Sequence, residues 1–334
     1  MMPSGSDLPE SAPALVVPHH GDGDVLEVRD QPVTEPGPGQ VLVRVAAAGV
    51  NFIDTYQRAG VYPMDTPFVL GSEGAGEVVA VGENVNCFVV GDRVAWGQGR
   101  ASAQTYALVD DTQLVQVPPN VDLEIAAAAM LQGLTAHYLS TSTYAVQQGT
   151  VALVHAAAGG VGQLLTQMIK KRGGRVIATA GSAEKLETAR ERGADDLINY
   201  SEVDDLAAAV RELTDGVGVD VVYDGVGKDT FDASLESLRP RGMMVLYGGA
   251  SGQVPPFDLQ RLNKLGSLFI TRPSLGSYVA TPDELRARTT ELFAWIESGE
   301  VQVTVGGRYP LSDARTAYAD LEGRRTQGKL LLIP

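Results

Sequence analysis

The sequence predicts an α/β protein of two parts, a β-rich domain and a doubly wound parallel-sheet domain. Three observations predict it. Short β segments broken by Gly, Asp and Asn fill residues 36–117, strand and helix alternate from residue 151 to about residue 272, and a helix-rich tail closes on the apolar run KLLLIP. A length of 334 residues suits two domains. With 44% apolar residues, the chain can bury a large core without covalent staples.

The N-terminal stretch MMPSGSDLPESAP has neither a basic start nor an apolar centre. It reads as a disordered extension over residues 1–13 and not as a signal peptide. PGPGQ (36–40) is a turn that feeds the alternating strand VLVRV. GEVVAVG (76–82), FVVGDRVAW (88–96) and TYALVDDTQLVQV (105–117) continue as short strands, which suggests a compact, barrel-like β domain. Helical character rises over 123–146.

From residue 151 the rhythm changes. The strand VALVH precedes a helix that carries Val161, Leu164, Leu165 and Met168 on one face. RVIATA (175–180), SAEKLETARERG and DDLINY (195–200) follow. In SEVDDLAAAVREL, Ser201 and Asp204 are spaced as a capping box. VDVVYD (219–224), a helix through Leu235, MMVLYGG (243–249) and LFITR (268–272) complete the series. Short apolar strands alternating with helices imply a parallel sheet covered on both faces. In the tail, Thr281, Pro282 and Glu284 mark a helix start, Gly299 follows its end, and a second helix begins near Ser312. Neither helix belongs to the parallel sheet, so the tail is expected to return to the first domain. The expected division is 14–130 with 275–334 for the β-rich domain and 131–274 for the parallel-sheet domain.

Composition excludes several functions. Cys87 is the only cysteine, so an internal disulfide and a four-cysteine zinc site are both impossible. This fits a reducing cytoplasm. Lys and Arg total 26 against 41 Asp and Glu, a net charge of −15. That field repels nucleic acid and anionic membranes. No apolar run reaches the length of a membrane span. A phosphate ligand must therefore be held by a few local donors.

The run Ala157-Ala158-Gly159-Gly160-Val161-Gly162 supplies a candidate. It follows an apolar strand, opens an amphipathic helix and stands first in a βαβ series. It is a variant of the dinucleotide fingerprint with Ala at the first glycine position. Gly159 lets backbone approach a diphosphate, Gly162 lets the helix pack close to the strand, and the helix N-terminus offers unpaired N–H groups. A bare tight turn with packing glycines is the alternative. An NAD site usually carries Asp or Glu at the end of the second strand. Here that end reads Thr179, Ala180, Gly181, Ser182, with no acid at the strand end; it offers a hydroxyl and, three residues on, the Lys185 ammonium. Such a pair suits a 2′-phosphate and favours NADPH. Ser182 is equally suited to cap the helix. Tyr200 offers a stacking or hydrogen-bonding wall to the adenosine, or is a sheet-edge aromatic.

NFIDTYQRAGVYP (51–63), LGSEGAGEVVAVG (70–82), GDRVAW (91–96), GLTAHYL (133–139), HAAAGGVG (155–162), INY (198–200), VVYDGVG (221–227) and ITRPSLGSY (270–278) together resemble the zinc-free quinone oxidoreductases. This group of the medium-chain dehydrogenase/reductase superfamily includes zeta-crystallin. The resemblance covers nearly the whole chain after about residue 14. It implies a GroES-like catalytic domain built from both chain ends, a central Rossmann domain, an active cleft between them, NADPH as cofactor and a homodimer. In zinc-dependent relatives a histidine ligand stands where this chain has Ser72, and a cysteine ligand lies near the position of Asn51. The four histidines (His19, His20, His137 and His155) show no ligand spacing, so no metal is expected. His155 reads as a packed residue and not as a base.

Carried over by position, Asn51, Phe52, Ile53, Asp54, Thr55 and Tyr56 resemble the segment lining the nicotinamide and substrate. Thr135 and Tyr138 match the helix facing the nicotinamide. Gly160 and Val161, beside Gly159, match the diphosphate turn, and Gly181, Ser182, Lys185 and Tyr200 the 2′-phosphate site. Gly225 stands where some relatives carry Ser or Asn near the adenosine. Leu246, Tyr247, Gly248 and Gly249 match a strand end beside the nicotinamide, Arg272, Pro273 and Ser274 the segment after the last strand, and Arg325 a late cofactor-binding arginine. The LYGG and TRP runs also suit strand-end packing and dimer contact. Asn51, Tyr56, Tyr62 and Thr135 are the candidate donors to a substrate oxygen that gains negative charge. Tyr62 resembles a proton-donating tyrosine of related enoyl reductases, or is a cleft wall. Two rivals stand beside quinone reduction. One is NADPH-dependent reduction of the double bond in enones or enoyl thioesters. The other is a non-catalytic NADPH- or RNA-binding protein of the crystallin kind; the net negative charge counts against RNA.

Overall fold

A computed structural model describes residues 8–334. In chain order the first segment holds β1 (Ser11–Val17), β2 (Glu27–Pro32), β3 (Gln40–Val50), α1 (Phe52–Arg58), β4 (Phe68–Val69), β5 (Gly74–Val81), β6 (Arg93–Trp96), β7 (Tyr106–Asp110), β8 (Val115–Gln116) and α2 (Leu123–Tyr138). The middle holds β9 (Val151–Val154), α3 (Gly160–Lys171), β10 (Arg175–Ala180), α4 (Ala183–Glu191), β11 (Asp196–Asn199), α5 (Leu206–Glu212), β12 (Val219–Asp224), α6 (Phe231–Ser237), β13 (Leu238–Leu246), α7 (Gln260–Lys264) and β14 (Phe269–Thr271). The tail adds α8 (Pro282–Glu297), β15 (Val305–Pro310), α9 (Ala314–Glu322) and β16 (Lys329–Ile333).

Two compact units result. One comprises residues up to Leu134 with Val279–Gly299 and Val303–Pro334, the other Thr135–Tyr278 with Glu300–Gln302. In the first unit, β3 is buried at every residue except Gln40, Arg44 and Ala46 and pairs antiparallel with β5, β7 and β16. The seven-stranded sheet runs β15-β16-β3-β5-β6-β8, with β7 on β3. Val41, Val43, Trp96, Tyr318, Leu330 and Leu332 join one core, so the tail's α9 and β16 are integral to it. The Trp96 indole N–H donates to Ser102 Oγ at 2.8 Å, as a buried polar tip requires.

In the second unit six parallel strands run in the order β11-β10-β9-β12-β13-β14. The inner strands are buried along almost their whole length, because helices cover both faces. Leu153, Ile177, Val222 and Met244 share a core with Phe231 and Leu235 of α6. Strand order reverses between β9 and β12. In open α/β sheets that is where ligands bind, outside the carboxyl ends of the strands.

Three expectations need correction. Residues 1–7 of the expected extension lie outside the described residues, but β1 begins at Ser11, inside it. Its register against β2, Ser11 opposite Pro32 through Val16 opposite Glu27, buries Ala12 and Ala14, so ladder bonds order a stretch whose composition reads as extension. The capping box at Ser201 does not form. Ser201 Oγ donates to the Gly181 carbonyl at 3.3 Å, and Asp205 caps α5 by accepting from Ala208 N at 2.9 Å. Regular helix over 123–146 stops at Tyr138 and widens into a π-turn over Leu139–Thr143. There the Ser140 and Thr141 hydroxyls donate back to the Ala136 and His137 carbonyls, both at 2.8 Å, which loosens the ladder. The α8 start is as the sequence predicts: Thr281 and Glu284 form a capping box around Pro282, and Gly299 follows at φ +74°.

Candidate active site

The second unit gathers one group of candidates at the carboxyl ends of its strands. After β9 the chain turns at Ala156 (φ +49°) and enters α3 at Gly159, whose N–H donates to the Ala156 carbonyl at 2.9 Å. No side chain caps α3. A Cβ on Gly162 would lie 2.7 Å from Ala157 Cα and closer still to the Ala156 oxygen, so glycine alone lets the helix sit on the turn. Beneath it, buried His155 is held by Thr179 Oγ1 at 2.9 Å on Nδ1 and Ser234 Oγ at 3.0 Å on Nε2. Burial lowers its pKa, against the pull of Asp224.

At the end of β10, Ser182 caps α4 by accepting from Lys185 N at 3.4 Å. Lys185 lies half-buried on the first turn. A Cβ on Gly181 would stand 2.5 Å from the Tyr200 hydroxyl, so the missing side chain seats Tyr200 beside Ser182. Gly225 and Gly248, at the ends of β12 and β13, pack backbone to backbone. A Cβ on Gly248 would lie 2.8 Å from Gly225 Cα, and one on Gly225 would strike the Tyr247 ring at 2.9 Å. Burial and then Asp224 push the Tyr247 hydroxyl above its ordinary value. Gly249 is buried beside it. Arg272 Nη1 donates to the Leu246 carbonyl at 3.3 Å, Pro273 is buried and Ser274 exposed. Tyr138 stacks on Tyr278 at 4.2 Å, and burial raises its hydroxyl pKa too. Thr135 is buried one turn before it.

The first unit brings together Asn51, Asp54, Ser72, Glu73, Tyr318 and Lys329 in one buried polar cluster. Asn51 precedes α1. Its backbone N–H donates to Asp54 Oδ2 at 2.9 Å, and its Nδ2 donates to Glu73 Oε1 at 2.7 Å and to the Gly49 carbonyl at 3.3 Å. Its Oδ1 accepts from Lys329 Nζ at 2.6 Å. Both amide hydrogens are therefore committed inside the protein, which leaves Asn51 an organising residue in this geometry. Lys329 also ion-pairs with Glu73. Ser72 and Tyr318 donate to the two oxygens of Asp54, at 3.1 and 3.0 Å. Thr55 is buried, whereas Phe52 and Ile53 are half-buried. Tyr56 meets Tyr62 edge-on with ring centroids 5.5 Å apart, and Tyr62 is exposed. Arg325 lies on the surface, paired with Asp320 at 2.8 Å.

Sequence reasoning missed Lys329, Glu73, Tyr318 and Gln132. The last carries a buried amide oxygen with no hydrogen-bond partner, one helical turn before Thr135 on α2. Three-residue spacing puts both on one helix face, a signal present in LQGLT.

Burial pushes the Asp54 carboxyl up to about 6, against the Asn51 N–H, the Lys329 ammonium and the Tyr318 hydroxyl, which all lower it. A raised folded-state pKa stabilises the protein fully below the ordinary value of 3.8, and that contribution is lost as pH rises through about 6. We expect wild type to lose on the order of 1–3 kcal/mol of stability relative to Asp54→Asn between about pH 4 and pH 7. Urea unfolding of both proteins across that range measures it, and a gap that stays constant with pH would count against this account.

The comparisons with known proteins cover parts of both units. Residues 37–119 match the alcohol dehydrogenase GroES-like domain, and residues 160–295 match a family described as zinc-binding dehydrogenase. A quinone oxidoreductase of Pseudomonas aeruginosa is 48% identical over 318 residues, covering 94% of this chain and 97% of that protein. The chain belongs to the quinone oxidoreductases of the medium-chain dehydrogenase/reductase superfamily. The crystal structure of Escherichia coli quinone oxidoreductase complexed with NADPH is 42% identical, covers 97% of this chain and 100% of that one, and superposes with a TM-score of 0.95. A 2-haloacrylate reductase of Burkholderia is 42% identical over 96% of this chain and 98% of its own length.

The residues present fit a dinucleotide. An uncapped α3 start and side-chain-free glycines leave backbone donors open to phosphate oxygens. They do not fit zinc. The buried cluster offers the Asn51 amide and the Ser72 hydroxyl, and the Lys329 ammonium already occupies it. Among the described residues no group of three or more His, Cys, Asp or Glu could hold a metal ion.

Proposed function

We propose that this protein reduces quinones with NADPH, without zinc. The observation that carries the cofactor reading is the end of β10, which carries no acid and runs into Ser182 at the N-cap and Lys185 on the first turn of α4, with exposed Glu184 between them. NADPH supplies the hydride when bound. The uncapped α3 N-terminus and the Gly159–Gly162 turn hold its diphosphate, and Ser182, Lys185 and Tyr200 its 2′-phosphate and adenosine. Thr135, Tyr138, Tyr247 and the Leu246–Gly249 strand end orient the nicotinamide. Arg325 serves only as a peripheral contact, since Asp320 already holds it. Quinone oxygens gain negative charge as hydride arrives, and Tyr56, Tyr62 and Thr135 are the donors assigned to them. Solvent can protonate the hydroquinone monoanion that hydride addition leaves, so no buried acid is required.

A second reading is favoured by the 2-haloacrylate reductase relative: the same hydride delivered to an activated carbon–carbon double bond. Loss of reduced-nicotinamide absorbance, followed with 1,4-benzoquinone, an enone and 2-chloroacrylate in the presence of chelator, separates the readings. Quinone turnover with NADPH well above NADH, unaffected by chelator, is the expected result. Turnover confined to the alkenes would transfer the assignment to the second reading. The chain is further proposed to be a cytoplasmic homodimer. Strand β14 is an open edge of the six-stranded sheet with Phe269 56% and Ile270 36% exposed, which suits pairing with a second copy. Sedimentation mass checks this. No helix among the described residues is long and apolar enough to cross a membrane.

A further inference from the structure

Glu73 is the hub of the buried cluster in the first unit. Its Oε1 accepts from Asn51 Nδ2 and pairs with Lys329, while its Oε2 accepts from the backbone N–H of Leu131 in α2 at 2.6 Å. One carboxylate thus ties the start of α1, the start of β16 and a mid-helix turn of α2. The two helices it ties carry the residues assigned above to the reacting ring: Phe52–Tyr56 on α1, and Thr135 beside Gln132 on α2. Glu73 is fully buried and Lys329 is 1% exposed. A buried ion pair is a poor source of stability, because desolvating both charges offsets their attraction, and well-packed apolar replacements are often neutral or better. Its fixed geometry is what it offers. The ammonium takes Asn51 Oδ1, the carboxylate takes Asn51 Nδ2, and the amide is left one orientation.

We propose that Lys329, acting through Glu73 and Asn51, is a positioning residue for hydride transfer: the pair sets the α1 and α2 segments that orient substrate against the nicotinamide. The inference rests on the quinone-reductase reading of the site. Misplacement by about 1 Å can cost on the order of a hundred-fold in rate.

The test replaces the pair without leaving a lone charge, as Lys329→Met/Glu73→Gln. The folded variant is expected to bind NADPH within about twofold of wild type by fluorescence titration, while kcat for 1,4-benzoquinone falls about ten- to a hundred-fold. Full kcat in the folded variant overturns the inference. Should that variant not fold, Asn51→Ala and Lys329→Arg carry the test. Asn51→Ala is expected to lose kcat to the same extent with NADPH affinity intact, and Lys329→Arg to retain most of it. An Asn51→Ala enzyme with wild-type kcat overturns the inference as well. In a cycle of Asn51→Ala and Lys329→Met, non-additive losses in kcat are expected, and additive ones contradict action through Asn51. A wild-type protein that binds NADPH but turns over no quinone would remove the functional reading itself, a distinct failure.

Discussion

Replacing Lys185 with alanine weakens NADPH binding about ten- to a hundred-fold and leaves NADH binding nearly unchanged. The two cofactors differ only by the 2′-phosphate, and a hydrogen bond to a charged group is worth roughly 1.5–3 kcal/mol, with about 1.4 kcal/mol per factor of ten. The chain carries a net charge of −15, so no diffuse positive field assists this phosphate. Recognition must come from donors at the spot, and Lys185 is the cation on the first turn of α4. Ser182 is a poorer probe. Its hydroxyl also caps α4, so Ser182→Ala would cost about 1 kcal/mol of helix stability as well. Calorimetric titration of both cofactors into wild type and Lys185→Ala decides the matter. Equal losses for NADPH and NADH would mean that Lys185 holds something other than the extra phosphate. Salt should narrow the preference in wild type, since a half-exposed charge pair is partly screened.

The parallel-sheet unit was legible because its physics is local. Strands such as Val219–Asp224 are short, largely apolar runs bounded by glycines, and α3 buries one apolar face against them. The tight turn into α3 was legible for the same reason, since Gly162 answers a constraint within a few residues of itself. Strand β1 was not. Its residues include Ser11, Ala12 and Pro13, which resemble a flexible tail until the partner at Glu27–Pro32 is known. The capping box at Ser201 failed through competition, because Asp205 lies directly before the apolar run and wins the N-cap.

The catalytic-domain cluster shows the limit most plainly. Glu73 lies 22 residues from Asn51, and Lys329 lies 278 residues from it. Nothing local in GKLLLIP says that the lysine turns inward, and a lysine opening a terminal strand would ordinarily be solvated. Family resemblance put Asn51 at the reacting ring as a donor. The geometry instead commits both amide hydrogens to Glu73 and Gly49, so the residue organises its neighbours. Long-range charge pairing, not periodicity, decides that role.

Gly162→Ala is expected to abolish useful NADPH affinity, with a loss of a hundred-fold or more, while the protein remains folded. The added methyl would stand 2.7 Å from Ala157 Cα and nearer still to the Ala156 carbonyl. Both obstacles are backbone, so no rotamer change relieves the overlap. Either α3 lifts away from β9 or the Ala156–Gly159 turn opens, breaking the bond from Gly159 N to the Ala156 oxygen at 2.9 Å. Both responses displace the N–H groups at the head of α3 from the diphosphate. Losing two hydrogen bonds to a charged group costs about 3–6 kcal/mol. The core beneath is untouched, so stability should fall by only about 1–3 kcal/mol, as overpacking typically costs. Gly181→Ala is the informative contrast. Its methyl meets only the tip of the Tyr200 side chain, which is 46% exposed and free to swing outward, so a loss of tenfold or less is expected there. Thermal melts establish folding, and titration with NADPH ranks the two variants. If Gly162→Ala bound NADPH as tightly as Gly181→Ala, close seating of the helix on the turn would not be what presents the diphosphate donors.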